Sequence, residues 1–286
     1  MSFKDTLLPI SNIIQSKGKL MDLAIPKVMG IINATPDSFY GNSRVDSTNI
    51  ALDRASEMIT DGAHFLDIGG YSTKPHAEKV SEQEEMDRVL PVIEAIANAF
   101  PEVWISVDTF CSKVAAEAIL KGANIVNDIS GVQYDEAMLK VVSEANVPYI
   151  LMHLEGDFDG MHKIYPYEND DVTAHLIQYF RKKVYACYAA GIKDVILDPG
   201  FGFSKSISNN YDLLSNMASL RMLGLPILAG ISRKSMIYKT LHIDAPNALN
   251  GTTALHMVAL QQGASILRVH DVKEAHQAIQ LFEILK

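Results

Sequence analysis

Short apolar runs recur along the chain. Each stops at a polar or charged side chain, and a helix-periodic stretch follows. Residues 28–32 run into Asn33, 65–66 into Asp67, 103–107 into Asp108, and 125–126 into Asn127 and Asp128. Residues 149–152 then meet His153, 195–197 meet Asp198, 227–231 meet Ser232, Arg233 and Lys234, and 266–267 meet Arg268 and His270. Runs this short, framed by helical periodicity, predict strands buried on both faces of a parallel sheet. Eight strand–helix units predict an α/β fold, a single-domain (β/α)8 TIM barrel over residues 28–286. Residues 1–27 form a short N-terminal extension, and 19–23 are predicted as a short strand closing the barrel floor.

The connections support this architecture. Several predicted helices stop at a glycine (Gly62, Gly122, Gly191, Gly263) with the next strand close behind. The links from strand to helix are longer: 34–48, 70–80 and 154–170. Long loops gathered on one face of a barrel suit covers over a substrate. Ser81-Glu82-Gln83-Glu84 has the pattern of a capping box at the start of the second helix.

Composition narrows the class. The 286 residues are 48% hydrophobic and 21% charged, as in a globular chain. No apolar run nears the ~20 residues of a membrane span, so no membrane partner is expected. Met1-Ser2-Phe3-Lys4-Asp5 has no signal-peptide core, and a cytoplasmic location is expected. Cys111 and Cys187 lack a CxxC partner and are expected as reduced thiols, with Cys111 as a nucleophile the alternative. A net charge of −9 argues against nucleic acid as a partner. Against that acidic background, Arg233, Lys234, Arg268 and His270 gather after the last two strands, where such barrels hold phosphate. An anionic substrate group follows.

Four motifs carry candidate chemistry. In Asp198-Pro199-Gly200-Phe201-Gly202-Phe203 an acid precedes a tight turn, the glycines admit a ligand close to backbone, and Phe203 offers a stacking face. Asp67-Ile68-Gly69-Gly70 leads to Thr73, Lys74 and Pro75, a second glycine-rich loop suited to an anion or a planar ring. Asp108 and the Asn127-Asp128 pair present acceptors and an amide to the edge of a flat heterocycle. Gly230-Ile231-Ser232-Arg233-Lys234-Ser235 leads into a helix start suited to an anion, with Lys234 as a Schiff-base lysine the alternative. His64, His175, His242, His256 and His276 are expected to be structural. His153, Asp157, Asp159 and His162 can be drawn as a metal set, but their spacing matches no zinc pattern.

With these residues in order, the chain resembles the dihydropteroate synthase family over about residues 20–286. Met29-Gly30-Ile31-Ile32-Asn33-Ala34-Thr35-Pro36-Asp37-Ser38-Phe39 resembles its first signature, and Leu66 to Pro75 the second. Asp108-Thr109, Asn127-Asp128, the Asp198 motif, Ser232-Arg233-Lys234 and Arg268-Val269-His270 follow in the family's order. The resemblance implies condensation of 6-hydroxymethyl-7,8-dihydropterin pyrophosphate with 4-aminobenzoate, releasing pyrophosphate. It implies that Asp108, Asn127, Asp198 and Lys234 hold the pterin. Asn33, Arg268 and His270 would hold pyrophosphate, with Mg²⁺ at Asn33. Asp108, Asp198, Lys234, Arg268 and His270 would carry catalysis. Loops bearing Thr35, Phe39, Thr73, Lys74 and Pro75 would close over the site. Phe39, Pro75, Phe203 and Lys234 would shape the aminobenzoate pocket, and Ser235 would meet its carboxylate. A homodimer and sulfonamide sensitivity belong to the same resemblance. The chain departs from the family pattern at Lys74, His76, residues 40–43 and Ser204, the last where the family carries glycine. A corrinoid-linked pterin methyltransferase on the same barrel and a weakly active pterin-binding paralogue are the alternatives.

Overall fold

The computed structural model describes residues 12–34, 44–71, 80–156, 160–168 and 171–285. A hairpin comes first, β1 (Ile13–Ser16) paired antiparallel with β2 (Lys19–Asp22). Eight strands then make one parallel sheet: β3 (Lys27–Asn33), β4 (Phe65–Gly69), β5 (Trp104–Asp108), β6 (Ile125–Asp128), β7 (Tyr149–Met152), β8 (Val195–Asp198), β9 (Leu228–Ala229) and β10 (Ile266–Val269). Their order is β8-β7-β6-β5-β4-β3-β10-β9. A parallel bridge from Leu197 to Ile227 joins the two ends, and the Leu197 N–H donates to the Pro226 carbonyl at 2.9 Å, closing the barrel.

A helix follows each strand: α1 (Arg44–Thr60), α2 (Glu82–Ala99), α3 (Ser112–Lys121), α4 (Ala137–Ala145), α5 (Val172–Ala189) and α6 (Ile207–Ser215). Two follow β9, α7 (Ser235–Thr240) and α8 (Leu249–Gln261), and α9 (Val272–Leu285) ends the ring. The four glycine stops expected from sequence all have positive φ, from 91° at Gly263 to 123° at Gly122.

Two apolar layers hold the barrel. Outward residues such as Leu66, Ile105, Val126, Leu151 and Leu267 pack against helix residues such as Val89, Ile93 and Ile96 of α2. Inside, one side chain from each strand forms a floor: Met29, Phe65, Trp104, Ile125, Ile150, Ile196, Leu228 and Ile266, with Ile14 and Leu23 beneath. Burial of each such side chain contributes about 1.5–3 kcal/mol. The hairpin is tied to this end by Ser16 Oγ donating to the Asn124 carbonyl (2.7 Å) and Lys17 Nζ to that of Ile119 (2.6 Å).

Two local expectations change. β9 has two residues rather than the five of 227–231, because ladder pairing to β10 covers only Leu228 and Ala229 and pairing to β8 is a single bridge at Ile227. The capping box on α2 is half formed. Ser81 Oγ accepts from the Glu84 N–H at 3.2 Å, but the Glu84 carboxylate turns to Arg88 at 2.5 Å.

Candidate active site

The period-2 alternation of strands sets which polar residues enter the barrel. Two positions beyond the floor residues Phe65, Trp104, Ile125, Ile196 and Ile266 stand Asp67, Ser106, Asn127, Asp198 and Arg268. Asp128 falls on the other parity. Its carboxylate accepts from the Tyr149 hydroxyl (2.6 Å) and from the Ser130 and Val132 N–H groups (2.7 and 3.1 Å). The expected Asn127-Asp128 pair is therefore split, with Asn127 in the mouth and Asp128 bracing the wall.

Arg268 organises the mouth. Its Nε donates to Asp67 Oδ2 and its Nη2 to Asp108 Oδ2, both at 2.6 Å. Asn127 Nδ2 donates to the same Asp67 oxygen at 3.0 Å, and the Tyr71 hydroxyl donates to Asp108 Oδ1 at 3.2 Å. Burial pushes the Asp108 carboxyl up, and the Arg268 charge pulls part of that shift back. Two buried acceptors here, Asp67 Oδ1 and Asn127 Oδ1, have no hydrogen-bond partner among the described residues. Asp67 was expected only as the strand-end acid of a glycine motif, with no role in the site assigned to it. Counting by two from Phe65 would have placed it inside.

The loop after β8 supplies the next wall. Asp198 Oδ1 accepts from the Gly200 N–H at 2.8 Å, and burial raises this carboxyl against the pull of that bond and of Lys234, Arg268 and Lys205. Gly200 has φ 67°, and a Cβ there would lie 2.2 Å from the His153 carbonyl, so the turn needs glycine. Lys234 Nζ donates to the Phe201 carbonyl at 2.5 Å and lies 4.2 Å above the Phe203 ring. Burial lowers its pKa to about 8, with Asp198 opposing the shift. Lys205 lies behind the loop, buried, within 2.9 Å of His153 Nδ1 and 3.0 Å of the Gly200 carbonyl. A loop lysine carries no sequence signal for burial, and this one was missed.

The basic rim divides. His270 Nδ1 is 3.1 Å from Ser232 Oγ, and desolvation with the Arg268, Arg233 and Lys234 charges lowers its pKa. Arg233 turns away, paired twice with Asp271 at 2.7 and 2.8 Å and bonded to the Pro246 carbonyl, so its role is structural. Ser235 begins α7 directly after Lys234. Asn33 ends β3, exposed, opposite Gly69. Thr35, Phe39, Thr73, Lys74 and Pro75 lie outside the described residues, as do residues 40–43 and His76.

Three further expectations resolve. Both cysteines are free and buried, and burial raises the Cys111 thiol, against a nucleophilic role. Of the metal set drawn around His153, only His153 and His162 fall among the described residues. Asp157 and Asp159 lie outside the described residues, and His162 stacks on Phe203 with ring centres 5.8 Å apart. Ser204, standing where the resemblance calls for glycine, keeps a positive φ of 56°. Its hydroxyl donates to the Glu155 carbonyl and accepts from the Glu155 N–H, both at 3.0 Å, stitching the two loops together.

Comparison with known proteins points one way. Residues 29–270 match the family model described as pterin binding enzyme. The dihydropteroate synthase of Escherichia coli K12 is 44% identical over 270 residues, 94% of either chain. Among solved structures, Xanthomonas albilineans dihydropteroate synthase with 4-aminobenzoic acid is 36% identical and superposes with TM-score 0.89, covering 96% of this chain and 98% of that one. The Yersinia pestis enzyme in a sulfonamide drug complex is 40% identical, with TM-score 0.87 and the same coverage.

Proposed function

The chain belongs to the dihydropteroate synthase family, and from that membership we propose how its barrel mouth divides the family's reaction. The enzyme is a transferase that joins 6-hydroxymethyl-7,8-dihydropterin pyrophosphate to 4-aminobenzoate, giving 7,8-dihydropteroate and pyrophosphate. The pterin enters edge first. Asp108, Asn127 and Asp198 accept from and donate to its ring N–H and amino groups, with Lys234 at its rim. Asp67 anchors Asn127 and Arg268 through Oδ2 and keeps Oδ1 for a donor on the ligand. The observation that carries this reading is the pair of buried acceptors, Asp67 Oδ1 and Asn127 Oδ1, without hydrogen-bond partners among the described residues. Unpaired buried acceptors cost about 1–3 kcal/mol each, a cost that donors on a ligand relieve.

Pyrophosphate lies toward Asn33, Arg268 and His270. The donor set suits Mg²⁺ only as an ion carried largely by pyrophosphate and water, because Asn33 is one exposed neutral oxygen donor and Asp67 and Asp108 are tied to Arg268 at 2.6 Å. When bound there, Mg²⁺ supplies charge to the leaving group. The pterin CH₂–O bond breaks with its electron pair going to pyrophosphate, and the cationic CH₂ is stabilised by the ring and by Asp198. The aminobenzoate nitrogen then forms the C–N bond and gives its proton to solvent. Phe203 and Lys234, with Phe39 and Pro75, shape the aminobenzoate pocket, and Ser235 meets the carboxylate. Loop residues Thr35, Thr73 and Lys74 close over both substrates. Sulfonamides compete for the same pocket.

No helix among the described residues is long and apolar enough to cross a membrane. A cytoplasmic homodimer suits this reading, with exposed Leu241 and Ile243 after α7 as apolar contact surface. A coupled assay of pyrophosphate release tests the whole reading. Release that needs the pterin pyrophosphate, 4-aminobenzoate and Mg²⁺ together is expected. Tight pterin binding with no release in their presence would overturn it.

A further inference from the structure

Behind the Asp198 loop, on the outer side of the barrel, three side chains converge that the condensation does not use. His153 directly follows β7, Glu155 stands two residues on, and His175 lies in the first turns of α5. Glu155 Oε1 is 3.3 Å from His153 Nε2 and 2.6 Å from His175 Nε2, and one donor atom from each residue lies within 4.8 Å of the others. The His153 side chain is fully buried, and its Nε2 faces the Glu155 carboxylate at 3.3 Å without a well-aligned hydrogen bond. The other two side chains are open to solvent, His175 at 39% and Glu155 at 30%.

We propose that His153 Nε2, Glu155 Oε1 and His175 Nε2 form a metal site, separate from the substrate mouth, for a divalent ion of the Zn²⁺ class. Two imidazoles and one carboxylate are a donor set such ions favour. Ligand atoms about 2.0–2.1 Å from a tetrahedral ion stand roughly 3.4 Å from one another. The His153–Glu155 separation already has that value, and the His175–Glu155 separation needs to open by less than an ångström.

The surroundings fit a built site. Lys205 Nζ, 2.9 Å from His153 Nδ1, fixes the far side of the ring so that Nε2 faces the carboxylate. The fourth position faces a surface cavity of about 200 Å³ lined by Glu155, His175, Gln178, Tyr179, Lys182 and Lys183. Water or a small anion fits there, and the two lysines favour the anion. The site backs directly onto the catalytic loop. The His153 N–H donates to the Asp198 carbonyl at 2.9 Å, and Lys205 reaches the carbonyls of Gly200 and Phe203. An ion here braces the wall that carries Asp198.

The test uses the full-length protein, stripped of metal by a chelator and titrated with Co²⁺ in excess Mg²⁺. One equivalent is expected to bind, with the strong visible absorption of a tetrahedral site. Zn²⁺ displaces it and raises the unfolding midpoint. His175→Ala and Glu155→Gln, both at partly exposed side chains, weaken uptake by about 100-fold and abolish the rise in midpoint. Absence of Co²⁺ uptake by the wild-type protein would overturn the proposal. So would uptake left unchanged in His175→Ala, which would place the ion elsewhere, such as at His270.

Discussion

The two ends of the same barrel have opposite chemistry built on one register. At the floor, the inward residues Met29, Phe65, Trp104, Ile125, Ile150, Ile196, Leu228 and Ile266 exclude water over the N-terminal hairpin. Two residues along those strands, the inward positions include Asp67, Asn127 and Arg268, bonded to one another, and Asp198, held by the Gly200 N–H, all buried or half-buried. The floor stabilises by burial alone. The mouth stabilises only while its charges stay paired, and it leaves acceptors open for a ligand. One end holds the fold, and the other places desolvated polar groups where a substrate can complete them.

Substitutions at the two ends should separate these roles. Trp104→Ala opens a cavity in the floor and is expected to cost about 3–5 kcal/mol in urea unfolding, with substrate KM values unchanged. Arg268→Met is expected to cost a similar ~3–5 kcal/mol, because it strands Asp67 and Asp108 as buried carboxylates, and also to abolish turnover. Adding Asp67→Asn and Asp108→Asn to Arg268→Met should restore most of the stability and none of the activity. Restored turnover would contradict the division.

A smaller effect is expected in the loops behind the mouth. Ser204→Ala keeps the positive φ and loses both bonds to Glu155, for a loss of about 1–2 kcal/mol by chemical denaturation. Ser204→Gly should cost less, since it also removes left-handed strain worth about 1–2 kcal/mol. The smallest effect is a pH limb. Burial holds the Lys234 ammonium near 8, so it is charged below that pH and neutral above. Pterin affinity measured against pH should fall as pH rises through about 8, and Lys234→Arg should move that fall higher. A flat profile would remove Lys234 from pterin recognition.

Much of this was legible in the sequence. Buried parallel strands are short apolar runs with polar ends, so all eight were visible, as were the glycine stops that give them short return links. Parity was the information left unused. Asp67 and Asn127 lie inside and Asp128 outside because each is counted from an apolar floor residue, and that count needs strand starts known to the residue. Arg268 was expected at the phosphate rim, and its pairing with two acids 160 and 201 positions away is a consequence of closure that no local pattern carries. Lys205 and Glu155 carried no local signal, and His175 was expected to be structural, since the three meet only where β7, β8 and α5 come together.

The central claim is that the acids and amide of the mouth take up the pterin ring. Isothermal titration of 6-hydroxymethyl-7,8-dihydropterin pyrophosphate with Mg²⁺, into wild-type protein and into Asp198→Asn, addresses it most directly. Saturable one-to-one binding is predicted for the wild type, weakened about 100-fold, or ~2.7 kcal/mol, by the substitution. Equal affinities in the two proteins would contradict it.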